Sequence, residues 1–305
     1  MRSIAASKIE EAVFRLCLQA NFNLPADVVA ALQGAAQNEE SEIGRKVLQE
    51  LLCNAELAAK ELLPLCQDTG LVVVFVEMGQ DVQIVDDLGE DPGAEYSSFA
   101  AAQNFGPQNP SLLELAINRG VRRGYIEGYL RKSIVSDPLF ERLNTGDNTP
   151  AIIHLRLGSG SGLRLAVAPK GGGCENKSFL RMLSPADGLE GVKQAVLQAT
   201  VEAGASACPP FVIGVGIGGN AEYAMQLAKQ ALLRNLSQAH PSQRYAKLEQ
   251  ELLDLINATG LGPQGFGGRV SALKVNVEYA PCHIASLPVG ISLSCHSARH
   301  ASVIL

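Results

Sequence analysis

The apolar, β-branched run Leu71-Val72-Val73-Val74-Phe75-Val76 follows a mainly helical portion, residues 1–63, and this change of period restricts the fold more than any other stretch. Ile9, Ala12, Val13, Leu16, Cys17 and Ala20 form one apolar helical stripe, which Asn23 and Pro25 end. A further helix opens at Ser41 with Glu42 in its first turn. It is expected to point Ile43, Val47, Leu48, Leu51, Leu52 and Ala55 inward until Pro64 stops it. A short unbroken apolar run behind such a stop reads as a buried strand. Cys66 therefore falls in a brief connection between helix and strand, where site residues tend to sit.

The alternation continues to the C-terminus. Residues 86–110 are polar and punctuated by Gly and Pro, so they read as a loop. Residues 112–133 are patterned as a helix whose far half is basic, with Arg119, Arg122, Arg123, Arg131 and Lys132. Residues 151–157 and 163–168 alternate as paired strands across the hairpin-type turn Gly158-Ser159-Gly160-Ser161-Gly162. Helix is expected over 187–203, 221–236 and 242–258, and strand over 211–217 and 270–278, with irregular sequence after that. The class is α/β (mixed α+β): a helical N-terminal portion followed by a mixed sheet flanked by helices, in a single domain over residues 1–305. Gly214-Val215-Gly216-Ile217-Gly218-Gly219 has the spacing of a dinucleotide-binding turn. Helix follows where that fold needs a second strand, so these glycines are assigned to tight packing or to backbone contact with a site.

At 305 residues and 47% hydrophobic content, the chain can bury one large or two moderate cores. A net charge of -6 with scattered basic residues gives no footprint for nucleic acid, and no apolar run approaches a membrane span. Seven cysteines, an odd number, do not read as a disulfide scaffold; a reducing, cytoplasmic compartment is expected. Three of them stand at punctuated turns: Cys66 before Gln67-Asp68-Thr69-Gly70, Cys208 before Pro209-Pro210, and Cys295 after Leu293-Ser294. Together they suggest three thiolates on one metal centre. A redox cluster usually has every iron held by protein, whereas a centre one ligand short can bind substrate as a Lewis acid.

Each neighbouring feature has a plainer reading beside the functional one. Asp68 and Gln67 can point into the same cleft as Cys66, or Asp68 can simply satisfy local N–H groups. Gly171, Gly172 and Gly173 between Lys170 and Lys177 suit an anion site or a flexible turn. The prolines after Cys208 fix its direction as a ligand, or as a structural cysteine before a strand. His283 lies in a short irregular stretch before Cys295 and can share the site or be structural. Cys17 and Cys53 are assigned to apolar helix faces, while Cys174 and Cys282 adjoin site candidates without a role. Three cysteines and a histidine also suit structural zinc, so a zinc-stabilised binding protein stands as an alternative from another class.

Several motifs occur in a characteristic order: Cys66-Gln67-Asp68-Thr69-Gly70, Asn144-Thr145-Gly146-Asp147-Asn148, Lys170-Gly171-Gly172-Gly173, Ala207-Cys208-Pro209-Pro210, Gly260-Leu261-Gly262-Pro263-Gln264-Gly265, and Pro288-Val289-Gly290 leading to Ser294-Cys295. On these, nearly the whole chain resembles the α subunit of two-subunit class I fumarate hydratases, the iron–sulfur type. The resemblance implies a [4Fe–4S] cluster held by Cys66, Cys208 and Cys295 with its fourth iron open. It implies catalytic roles for Asp68, Gln67 and His283, and a dicarboxylate bound by Gln67, Arg131, Gly172 and Lys177, with Arg131 as a bidentate clamp. The implied activity is reversible hydration of fumarate to L-malate, a step of the tricarboxylic acid cycle, in the cytoplasm. In the family, further arginine, lysine and threonine groups come from a β region, so a separate β subunit and a higher oligomer are expected. The α subunit of L(+)-tartrate dehydratase is the runner-up; Cys174 leans towards it, and Glu175-Asn176-Lys177-Ser178 leans towards fumarate hydratase.

Overall fold

The computed structural model describes residues 1–89 and 110–305, so most of the loop expected over 86–110 lies outside the described residues. The chain divides into two compact units. One comprises Met1–Asn23, Leu63–Gly171 and Arg299–Leu305; the other comprises Leu24–Leu62 and Gly172–Ala298.

In the first unit, β1 (Arg2–Ala5) pairs in parallel with β3 (Val82–Val85). A four-stranded sheet runs in the order β10 (Ala301–Ile304), β5 (Leu163–Lys170), β2 (Leu71–Gly79), β4 (Ile152–Gly158). One face of β2 and β5 (Val72, Val74, Val76, Leu163, Leu165, Val167) packs with Ile9, Val13, Leu16 and Cys17 of helix Ala6–Phe22 and with Ala116, Ile117 and Val121 of helix Leu112–Glu127. These two helices approach closely: a Cβ on Gly120 would lie 2.5 Å from the Glu10 carbonyl oxygen. Cys17 is sealed in that contact, and burial pushes its thiol up to about 12.

Two sequence expectations change here. Strands β4 and β5 do not form a hairpin, because β2 lies between them, parallel to β4 and antiparallel to β5. The glycine-rich connection steps over the end of β2 instead, its Gly158, Gly160 and Gly162 carbonyls accepting from the amides of Gln80, Asp81 and Gly79. Its residues reach easily across two inter-strand spacings, about 10 Å, and the central place goes to the run that can be buried. The helix expected to reach residue 133 ends at Glu127, where the Gly128 amide caps it and Tyr129 takes a φ of 51°. Arg131 and Lys132 therefore leave the helix.

In the second unit the sheet order is β6 (Phe179–Leu183), β9 (Leu287–Ser294), β7 (Phe211–Gly219), β8 (Ala272–Cys282), with β7 and β8 parallel and β9 antiparallel to both β6 and β7. The sequence expected to be irregular after residue 278 thus supplies an inner strand, β9, and also β10. Pro288 and Gly290 hide β9 from a propensity reading. Phe211, Ile213 and Val215 pack with Val192 and Val196 of helix Gly188–Ala203 and with Leu248, Leu252 and Ile256 of helix Gln243–Asn257. On the other face Gly214 and Gly216 meet helix Ala221–Ala231, where a Cβ on either would stand 2.0 Å from the carbonyl oxygen of Ala228 or Ala224. The glycine motif is therefore a helix-packing device.

Helices Ala26–Asn38 and Glu42–Glu61 enclose Val28, Leu32 and Leu48 with Val212, Leu236 and Val270. Ser41 Oγ caps the second of these by accepting from Gly44 N at 3.1 Å. Its inward stripe is Gly44, Leu48, Ala55 and Ala58, so Ile43 and Cys53 face solvent. The core position assigned to Cys53 is corrected by this rotation of the stripe. Among the described residues, no helix is long and apolar enough to cross a membrane.

Candidate active site

Each unit carries part of the predicted residue set. In the first, Cys66, Gln67 and Asp68 occupy the turn between helix and β2, and the turn is held from below. Leu65 N donates to Asn21 O at 2.8 Å. The fully buried Tyr125 hydroxyl donates to Thr69 O at 2.6 Å and to Gly70 O at 3.1 Å. Burial raises the ionisation point of that phenol above its ordinary value, keeping it a donor. Cys66 Sγ lies 3.4 Å from Gln67 Oε1, and Gly70 N donates to Asp68 Oδ1 at 3.0 Å. The Asx-type turn is thus real, and it fixes one carboxylate oxygen of Asp68.

Arg131 is tied to the same turn through its backbone: Thr69 Oγ1 donates to Arg131 O at 2.7 Å. The buried Asn148, at a φ of 63°, accepts from Ser133 N at 2.7 Å and donates to Gly70 O at 3.1 Å. Beside it Asp147 accepts from Arg122 Nε at 2.9 Å. Burial would raise the Asp147 carboxyl, but bonds from Thr149 and Arg122 outweigh it and hold it below the ordinary value. The motif around Asn148 therefore carries the loop on which the exposed Arg131 sits.

Within the second unit, Cys208 and Cys295 come to the same end of the sheet. Cys208 precedes β7, Cys295 follows β9, and the antiparallel register sets Val212 opposite Ser294. The loops are bonded together: His296 N donates to Cys208 O at 3.3 Å. Gln264 braces them, with its Nε2 donating to Pro209 O at 2.7 Å and lying 3.0 Å from His296 Nδ1. Cys208 itself has a φ of 54°, a left-handed conformation that a non-glycine residue adopts only under constraint. Gly172 begins the single turn Gly172–Glu175, and Lys177 N closes it onto Cys174 O at 3.0 Å. The buried Cys174 donates its thiol to Ala207 O at 3.3 Å, joining that turn to the segment ahead of Cys208.

His283 does not join this group. It sits beyond Cys282, which pairs with Gly219 at the far end of β7. From Val212 to Gly219 is about 23 Å at roughly 3.3 Å per residue. Its Nδ1 accepts from Ala285 N at 3.1 Å, and its side chain is exposed. Positions 283 and 295 are near in sequence, but β9 runs the length of the sheet between them. Tyr125, Asn148, Gln264, His296 and Arg299 were given no role from sequence; only the motif that contains Gln264 and the one that contains Asn148 gave any signal.

No disulfide links the seven cysteines. Among the described residues, no three His, Cys, Asp or Glu side chains form a metal-holding group. In kind, the donors fit an iron–sulfur centre. Cys66, Cys208 and Cys295 are soft thiol ligands outside regular structure, and two of them stand on loops bonded to each other.

Comparison with known proteins adds an independent line. The chain matches the family model described as fumarate hydratase (Fumerase) over residues 10–95 and 88–304. It is 38% identical over 297 residues to a Methanocaldococcus jannaschii protein provisionally named L(+)-tartrate dehydratase subunit alpha, covering 96% of each chain. It is 29% identical over 305 residues to the L(+)-tartrate dehydratase subunit alpha of Escherichia coli O157:H7, covering 99% of this chain and 92% of that one. The protein of the same name from Escherichia coli K12 is 28% identical over the same length.

Proposed function

The chain belongs to the fumarate hydratase family of hydro-lyases, and on that premise we propose that it is the α subunit of an enzyme hydrating fumarate reversibly to L-malate. The observation that carries the reading is the bonded pair of loops bearing Cys208 and Cys295, braced by Gln264 and His296. With Cys66 these residues would hold a [4Fe–4S] cluster, which when bound supplies a Lewis-acidic iron for the substrate's carboxylate and hydroxyl.

This chain's own residues do the rest. Asp68, oriented by Gly70 N, is the candidate base that takes a proton from the carbon next to a carboxylate, or returns it. Arg131 clamps a carboxylate through paired N–H donors, and Gln67, Gly172 and Lys177 complete its binding. Hydration adds hydroxyl to one olefinic carbon and a proton to the other; elimination reverses both, and no electron leaves the substrate. The words "subunit alpha" in the relatives' names support a β partner that completes the enzyme.

Those same names keep a second reading beside the first, dehydration of L(+)-tartrate to oxaloacetate. Coexpression with the candidate β chain under strict anoxia, followed by fumarate and tartrate assays, separates the two. Iron and sulfide content tests the chemistry: Cys208→Ser should lose iron and activity together, and the exposed Cys53→Ser should keep both. Equal loss in the two variants, or a colourless zinc protein, overturns the iron–sulfur reading.

A further inference from the structure

Arg299 is an unusual buried cation, because the protein satisfies only part of it. It lies in the first unit at 7% exposure. Its Nε donates to Pro169 O at 3.5 Å and its Nη2 to Asp68 O, so two carbonyls fix the guanidinium beside the Cys66–Gly70 turn. Nη1 is buried with no hydrogen-bond partner. A donor left this way on a charged group is costly unless something supplies an acceptor.

Gly171 lies against the same pair of groups. Gly171 has no side chain, and a Cβ there would lie 3.2 Å from Asp68 Oδ2 and 3.9 Å from Arg299 Nη2. The candidate base and the fixed guanidinium thus meet at Gly171, with all of these groups in one unit. A guanidinium fork matches the two oxygens of a carboxylate better than any other common anion of this size except phosphate.

We propose that Arg299 is a substrate-binding residue, its Nη1 holding one carboxylate of the dicarboxylate next to Asp68. This rests on the hydro-lyase reading above and deepens it. The anchored carboxylate would set the adjacent carbon within reach of Asp68, and the positive charge would offset the repulsion between the two anionic groups.

The test uses the α–β holoenzyme prepared without oxygen, with Arg299→Met, Arg299→Lys and Gly171→Ala. Three quantities are read: KM and kcat on whichever of fumarate or L(+)-tartrate the wild type turns over, the Kd of unreactive succinate, and Tm. Losing a charge-assisted bond should raise KM and succinate Kd about 30-fold in Arg299→Met. Arg299→Lys should recover part of that. Gly171→Ala should also weaken succinate, because its methyl would press on Asp68 Oδ2 at 3.2 Å while the Arg299 charge is kept. If succinate Kd and KM stay within about twofold while Tm falls, Arg299 only latches the turn and the proposal is overturned. Should Arg299→Met fail to fold, the lysine and alanine variants decide by the same criteria. A wild type that turns over neither substrate sinks the hydro-lyase reading separately, and succinate binding still judges the anchor.

Discussion

Replacing Tyr125 by Phe tests whether the Cys66–Gly70 turn is held from beneath, as the hydrogen bonds indicate. The ring is fully buried and keeps its shape in the variant, so apolar packing is unchanged and the loss is confined to the hydroxyl. Two bonds disappear, at 2.6 Å to Thr69 O and at 3.1 Å to Gly70 O. The Gly70 carbonyl keeps Asn148 Nδ2 at 3.1 Å, whereas Thr69 O loses its hydroxyl donor. One lost bond at about 1 kcal/mol and one stranded buried acceptor at about 1–2 kcal/mol give a destabilisation of about 2 kcal/mol. That corresponds to a fall in Tm of about 3 °C for a chain of this size. Thermal unfolding followed by circular dichroism reads it, with Asn148→Ala and the double variant completing a cycle. Because Tyr125 and Asn148 share the Gly70 carbonyl, the two effects should depart from additivity by about 0.5 kcal/mol or more. A fall below about 1 °C in Tyr125→Phe, or strict additivity, would show that other donors hold the turn and would refute this account.

The remaining predictions concern the second unit. Glu39 is buried and accepts from the amides of Ser41, Arg269 and Val270 at 2.9, 2.9 and 2.8 Å, fastening the glycine-rich loop that carries Gln264. Burial raises its carboxyl, but these amide bonds outweigh that and set the folded value below the ordinary 4.5. Its stabilisation is therefore complete above the unfolded value and is lost as pH falls through the lowered folded one. Glu39→Gln should cost about 2 kcal/mol at neutral pH and flatten the decline of the urea midpoint below pH 5; an unchanged acid limb would count against the carboxylate's role. Gly216→Ala should abolish soluble expression, since its methyl would stand 2.0 Å from the Ala224 carbonyl oxygen and 2.6 Å from Ala228 N. Gly34→Ala, in a helix with nothing within 4 Å of the new Cβ, should instead raise stability by about 0.5–1 kcal/mol. Equal behaviour of the two glycine variants in a solubility and melting assay would contradict the packing described for β7.

Local chemistry was legible in the sequence wherever it depended on neighbours along the chain. The stripe from Ile9 to Ala20, the Ser41 cap, the buried run in β2 and the turns at Cys66, Cys208 and Cys295 all follow from period, capping and proline or glycine constraints. The residues of the candidate site stand out in the sequence because thiols and carboxylates next to such breakers are conspicuous. What a sequence does not carry is pairing between distant segments. Nothing local says that β2 enters between β4 and β5, that β9 is an inner strand despite Pro288 and Gly290, or that a full strand length parts His283 from Cys295. Those choices are made by burial: the segments able to lose water on both faces take the middle of a sheet, and the rest are arranged around them. The same holds for Arg299 and Tyr125, ordinary in sequence, whose meaning arises only when folding removes water from them beside the carbonyls of Thr69, Gly70 and Asp68. The sequence determined which groups are available for chemistry, and tertiary packing decided which of them meet, because desolvation acts on surfaces and not on sequence neighbours.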